Sequence, residues 1–509
     1  MLVRLQSFTL VGIEAVACEV EVNVASRGFE HTAIVGLPDA AVKESLDRVR
    51  TVLENCGYPS PAHRTLINLA PADVRKEGPS LDLPIALGLL FAADGSMPDA
   101  ASHYMIAGEL ALDGRLRPIR GGLSMAMLAK REGYRGVILP RDNANEAAVV
   151  DGIEVIPASS LTEAVGFLTE QLPIEPMAVD LNEVFRQSSQ YDVDFSDVRG
   201  QDGVKRAVTL AAAGGHNLLM IGPPGSGKTL MAKCLPTVLP PLTLEESLET
   251  TRIWSAAGKL PPGAALLATR PVRTPHHSAS APALVGGGTI PQPGEVSFAH
   301  HGVLFLDEFA EFPRPVLETL RQPLEDGAVT ISRAHSTIRL PAQFILVAAM
   351  NPCPCGYLAD PRRRCNCSVV QIEKYLSRIS GPLIDRIDIH VTVPAVPYQE
   401  LRHGKPGTTS AQMREWVMSA RQRQRDRFGA GTTTLNARMS PRQVRQHCQL
   451  DADGELVLKQ SMSELGLSAR AHDKVLRVAR TIADVEGSET IRAEYVAEAV
   501  HFRQLDRQR

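Results

Sequence analysis

At 509 residues the chain is too long for one hydrophobic core, since single cores stop growing at roughly 250–300 residues, and about two to four domains are expected. Its 44% apolar and 22% charged residues are the balance of a folded protein, which excludes a disordered or low-complexity chain. A formal net charge of −3 excludes a global polyanion-binding surface, so any contact with nucleic acid has to come from local basic groups.

Residues 2–24 alternate apolar with polar side chains and read as a β-hairpin turned at Gly12. Glu14, Glu19 and Glu21 break this stretch, and no run of about 18 uncharged apolar residues follows, so no membrane span or membrane partner is expected and the location is read as cytoplasmic. Helical spacing over 38–55 sets Ala41, Leu46, Val49 and Leu53 on one side. GVILP (136–140) and IEVIP (153–157) are short buried strands around a helical segment, which makes residues 1–172 a mixed α/β domain. Residues 173–190 lack an apolar period and read as a linker.

Residues 191–396 form a strand-and-helix core, with strands at NLLMIG (217–222), GVLFLDE (302–308) and QFILVAAMN (343–351). Beyond it the chain turns helical and arginine-rich, with helices expected over 410–428, 441–449, 454–465, 469–485 and 491–504, so 397–509 is a helical domain.

The core carries the chemistry. GPPGSGKT spans Gly222, Pro223, Pro224, Gly225, Ser226, Gly227, Lys228 and Thr229, between a predicted strand and a predicted helix. Its glycines let backbone N–H groups wrap phosphate oxygens at the positive end of the following helix. Lys228 is placed to reach the β- and γ-phosphates of ATP, and Thr229 to hold Mg2+. Asp307 ends an apolar strand and suits Mg2+, directly or one layer out, while Glu308 beside it can orient and deprotonate the attacking water. Asn351 closes the next strand, where its amide could position the same water. Arg386 and Arg470 carry guanidinium groups suited to a γ-phosphate, but nothing in the residues alone singles them out among the many arginines.

Four of the eight cysteines, Cys353, Cys355, Cys365 and Cys367, form two C-x-C pairs, enough thiolates for a tetrahedral Zn2+ site. Free thiols in a reducing compartment are the alternative. Arg362, Arg363 and Arg364 sit between the pairs, where a stiffened loop could present them to DNA.

Beyond the nucleotide motifs, RTPHHSASAPALVGGGTIPQPGEVSFAHHGVLFLDE (273–308), LRQPLEDGAVTISRA (320–334), NPCPCGYLADPRRRCNCS (351–368), SGPLIDRIDIHV (380–391) and SARAHDKVLRVARTIADV (468–485) together resemble the magnesium-chelatase-like AAA+ family. Within it they are similar to the ComM/YifB proteins, over essentially the whole chain. The implied fold is α/β: an AAA+ P-loop NTPase core, a C-terminal helical lid, and an N-terminal α/β Lon-protease-like domain of the ribosomal S5 domain 2 kind. By this resemblance Arg386 is similar to an arginine finger completing a neighbour's site, and Arg470 to the sensor-2 arginine. A finger in trans implies a ring, read as a homo-hexamer. DNA is the implied track, with branch migration of recombination intermediates during natural transformation as the implied task and recombination proteins as further candidate partners.

VTISRAHSTIRLPA (329–342) reads as two strands around a tip with Arg333 and His335, and in related ring motors a hairpin there enters the pore. Phosphate contacts of that kind carry no sequence information. His276 and His277 are read as structural. In the N-terminal domain Ser80 falls where Lon proteases place their nucleophile, but Ser124 replaces the expected general-base lysine, which disfavours peptidase chemistry and leaves Lys76 and Lys130 as the candidate stand-ins. Two other readings stay open: a chelatase-type motor acting on a protein partner, and an ATP-dependent protease.

Overall fold

The computed structural model describes the chain except residues 26–30, 60–62, 188–190, 289–290, 334–335, 359, 361–362, 397–406, 430–431, 467 and 504–509, and except the side chains of 187, 333, 336 and 465. Met1–Ser188 and Thr243–Ala268 form one compact unit, and Ser189–Leu242 with Thr269–Arg509 form the other. Among the described residues no helix is long and apolar enough to cross a membrane.

The first unit is built on a seven-stranded sheet, in spatial order Thr32–Val35, Thr65–Ala70, Glu14–Val24, Leu2–Val11, Tyr104–Ile106, Gly136–Pro140 and Glu154–Ala158. The expected hairpin is present, with Leu2 opposite Asn23 and Val11 opposite Glu14. Its period of two buries Val3, Leu5, Val20 and Val22 fully in one hydrophobic cluster. Helix Asp82–Asp94 packs on these strands and, apolar all round, is buried from Asp82 to Ala92. Helix Ala40–Asn55 starts where Asp39 accepts the Val42 N–H at 2.8 Å. Its buried side runs through Val42, Val49, Val52 and Leu53, so the expected stripe is rotated and Ala41 and Leu46 are only half-buried.

Two stretches differ from expectation. Residues 173–187, read as linker, pack on the first unit through Met177, Val179, Leu181 and Val184, and Leu181–Gln187 is helical. The spacing there passes from two to three because the segment changes from extended to helical, so no single period exists. Helix Leu244–Ala256, which the sequence assigns to the ATPase core, belongs to the first unit. It begins at a capping box between Thr243 and Glu246 and buries a largely polar seam of Ser247, Thr250, Thr251 and Ser255. Arg252 pairs with Glu14 and approaches Ser124 Oγ at 3.4 Å, while Ser255 O accepts the Gly121 N–H. A seam matched by polar partners leaves no apolar stripe to announce its dock.

The second unit centres on five parallel strands, in order Val272–Arg273, Val303–Leu306, Ile345–Met350, Leu218–Ile221 and Ile389–Thr392. Val303–Leu306 and Ile345–Met350 are buried along their whole length, which is why they read as unbroken apolar runs. Helices Ser410–Phe428, Pro441–His447, Ala452–Leu465, Ala469–Glu486 and Ala493–His501 match the helical expectation, with some ends shifted by one to three residues. They share one core with the sheet helices, in which Val208 and Leu210 meet Met413, Val417, Val475, Ile482 and Val496.

Candidate nucleotide site

In a parallel sheet every strand delivers its following loop to the same edge. At that edge here lie the phosphate loop after Leu218–Ile221, Asp307 and Glu308 after Val303–Leu306, Asn351 after Ile345–Met350, and His276 and His277 after Val272–Arg273.

Helix Lys228–Val238 starts at Gly227, whose φ of 90° is a left-handed conformation that a side chain would strain. Lys228 is almost fully buried and donates to Gly222 O at 2.8 Å, Pro223 O at 3.0 Å and Asn351 Oδ1 at 3.3 Å. Burial pushes its amine below the ordinary value, and the nearby Asp307 carboxylate works against that shift. Thr229 Oγ1 donates to Asp307 Oδ2 at 2.8 Å, so a hydroxyl and a carboxylate oxygen already meet where a hard divalent cation such as Mg2+ fits. The other Asp307 oxygen accepts the Glu308 N–H at 2.9 Å. Glu308 has φ 51°, a conformation non-glycine residues rarely adopt, and it turns the carboxylate toward His277, whose Nδ1 lies 2.9 Å from Oε2. His277 is stacked against His276, ring centroids 4.1 Å apart.

Sequence reasoning missed two partners here. His277, read as structural, engages Glu308 directly. Gln201 Nε2 donates to Ser226 O at 3.0 Å and Pro394 O at 2.7 Å, tying the phosphate loop to the chain after the last strand. The one available signal was its place between Gly200 and Gly203, just ahead of helix Asp202–Gly214.

Arg386 and Arg470 lie elsewhere. Both line a cavity of about 450 Å3 with Arg438, Lys474 and Arg477, where Glu325, Asp385, Asp388 and Asp473 balance part of the charge. Gly215, Asn217, Phe344 and Asp388 in its wall precede their strands, so the cavity sits at the opposite sheet edge from Lys228. A four-residue strand alone spans about 13 Å. Arg386 pairs with Glu325 and donates to Pro382 O at 2.8 Å. Below it, Lys474 Nζ meets Asp388 Oδ1 at 2.8 Å. Burial alone would raise the Asp388 carboxyl, but Lys474 and His216 hold it far below the usual carboxylate range.

The four clustered thiols converge. Cys353 Sγ is 3.4 Å from Cys355 Sγ and 3.7 Å from Cys365 Sγ, Cys355 and Cys365 are 3.5 Å apart, and with Cys367 all lie within 4.8 Å of one another. N–H groups of Tyr357 and Asn366 lower the Cys355 thiol to about 6. Arg363 stacks over the Tyr357 ring at 4.3 Å, and Arg364 is exposed. Strands Ala328–Arg333 and Ser336–Pro341 make the expected hairpin, with Arg333 opposite Ser336. His335, Arg362 and the Arg333 side chain lie outside the described residues.

In the first unit the Ser124 hydroxyl donates to Ile13 O at 2.9 Å. Lys76 is buried with its ammonium on Pro71 O, and Lys130 is exposed. Lys76 is thus engaged away from the base role asked of it, and Lys130 stands in solvent.

Three family descriptions match the chain: magnesium chelatase, subunit ChlI, over residues 194–401; its C-terminal part over 407–503; and subunit ChlI of Mg-chelatase over 20–143. With the parallel-sheet site they define a magnesium-chelatase-like AAA+ protein, the class to which ATP hydrolysis belongs. The chain is 44% identical to competence protein ComM of Haemophilus influenzae and 42% identical to the uncharacterized protein YifB of Escherichia coli, each over 98% of this chain and 96% of the relative. It belongs to the ComM/YifB family. The magnesium-chelatase 38 kDa subunit of Rhodobacter capsulatus is 27% identical over 31% of this chain and 50% of its own length.

Proposed function

We propose that this chain is a ring-forming ATPase that translocates on DNA and drives branch migration of recombination intermediates during natural transformation. The observation that carries the ring is the separation of parts: Lys228, Thr229, Asp307, Glu308 and Asn351 gather at one sheet edge, while Arg386 and Arg470 line a cavity at the other. One chain therefore holds half of two sites, and a head-to-tail ring, a hexamer in this reading, brings the arginines of one protomer to the γ-phosphate of the next. Lys228 balances the phosphates, Thr229 and Asp307 hold Mg2+, Glu308 takes the proton from the attacking water, Asn351 orients that water, and the arginines neutralise charge that grows in the transition state. When bound by Thr229 and Asp307, Mg2+ would supply neutralisation of phosphate charge.

DNA as the track is supported by the match to a competence protein over nearly the whole of both chains. Arg333 and His335 at the hairpin, and Arg362, Arg363 and Arg364 at the cysteine loop, are the proposed phosphate contacts, with the four cysteines holding Zn2+. The first unit, with the Ser124 hydroxyl on Ile13 O, the Lys76 ammonium on Pro71 O and Lys130 exposed, serves assembly or DNA contact rather than proteolysis.

ATP turnover and four-way-junction unwinding by the purified chain test this. Lys228→Ala and Glu308→Gln are expected to abolish both, and junction migration undiminished in either variant rejects the reading. ATPase activity indifferent to every DNA form but raised by a protein partner would instead support a chelatase-type motor.

A further inference from the structure

The cysteine cluster touches the nucleotide site at two points. Asn351, two residues before Cys353, accepts a hydrogen bond from Lys228 Nζ at 3.3 Å. Gly356, the residue after Cys355, has φ 83° and lies so close to the phosphate loop that a Cβ there would stand 2.6 Å from Pro224 Cδ. The turn is closed by the Gly356 N–H on Cys353 O at 2.9 Å, and Cys353 itself is buried.

The thiols fit a metal. A tetrahedron with metal–sulfur bonds of about 2.3 Å has sulfur–sulfur edges of about 3.8 Å. The separations among Cys353, Cys355 and Cys365 are 3.4, 3.5 and 3.7 Å. A disulfide would need about 2.0 Å. The described residues from 354 to 367 contain no helix or strand, so little besides a shared ligand fixes this turn against Pro224.

We propose that the zinc–thiolate site acts as a clasp on the phosphate loop, so that metal occupancy sets nucleotide affinity although no thiolate touches the nucleotide. The proposal rests on reading the four cysteines as zinc ligands. Two ligands linked through one rigid turn affect each other reciprocally. Zinc tightens nucleotide binding, and nucleotide tightens zinc binding by the same factor.

The test uses the full chain, elemental zinc analysis and titration with a fluorescent ADP analogue. One zinc per chain is expected. Removing it with a chelator should weaken ADP binding about tenfold, within the usual range for coupled sites, and added Zn2+ should restore it. Zinc affinity, read by competition with a chromophoric chelator, should rise by the same factor when ADP is present. Gly356→Ala keeps all four thiols but crowds Pro224, so it should retain zinc, lose ADP affinity and lose the ADP-dependent rise in zinc affinity, and a rise left intact would overturn the clasp even where the stripped chain unfolds. Zinc that is bound and removed with unchanged ADP affinity overturns the clasp and leaves the metal site standing. A folded chain that carries no zinc overturns both.

Discussion

His277 Nδ1 stands 2.9 Å from Glu308 Oε2, an imidazole held against the carboxylate that is proposed to activate water. The pair exists because Val272–Arg273 runs parallel to Val303–Leu306, so the loops that follow these strands emerge side by side. A partner of this kind fixes the carboxylate rotamer while leaving the nucleotide untouched. His277→Ala should therefore lower kcat for ATP about tenfold with KM little changed, the signature of an interaction felt in the chemical step. His277→Gln, which keeps a hydrogen-bond donor, should recover part of the rate. An unaltered kcat in the alanine variant would make the contact incidental.

Thr229 and Asp307 share a hydrogen bond where Mg2+ is expected. Asp307→Asn keeps the shape but removes a charge. The Mg2+ concentration for half-maximal ATPase should rise about tenfold, since a hard cation favours charged oxygen ligands. ATPase measured across a Mg2+ titration checks this.

Separation of Lys228 from Arg386 predicts complementation. Lys228→Ala and Arg386→Ala chains should each be inactive alone. Mixed in equal amounts, about a quarter of head-to-tail junctions pair an intact phosphate loop with an intact arginine, and activity should return to that extent. Mixtures as inactive as the separate variants would place Arg386 outside the reaction.

Asp388 is buried against Lys474. Its folded pKa is depressed, so its contribution to stability is complete above the unfolded carboxylate value of about 3.9 and declines as pH falls below it. Thermal unfolding should show a loss of stability below about pH 4 that Asp388→Asn lacks. At neutral pH that variant should be less stable by about 3–5 kcal/mol, because Lys474 is left buried without its partner.

The nucleotide edge was legible because its parts are local. A glycine loop, an acidic pair and an asparagine each follow an unbroken apolar strand, and parallel pairing brings them together. Thiol convergence was legible from the C-x-C spacing. His277 facing Glu308, Gly356 against Pro224 and Gln201 on Ser226 O were not, because each joins segments distant in the chain through backbone placement rather than residue pattern. The resemblance named Arg386 and Arg470, while their common cavity depends on where the helical region packs.

Helix Leu244–Ala256 gives the chain an unusual itinerary. Translation finishes residues 1–188, then makes the phosphate loop, and only afterwards supplies the helix whose Arg252 pairs with Glu14. The amino-terminal unit therefore cannot reach its final form on the ribosome until residue 268 has emerged, by which time the phosphate-loop strand is already outside. A fragment ending at residue 172 or 188 would be born with Ser124 missing a neighbour and Glu14 missing its counter-ion, and excising either unit would require three cuts in the polypeptide rather than one.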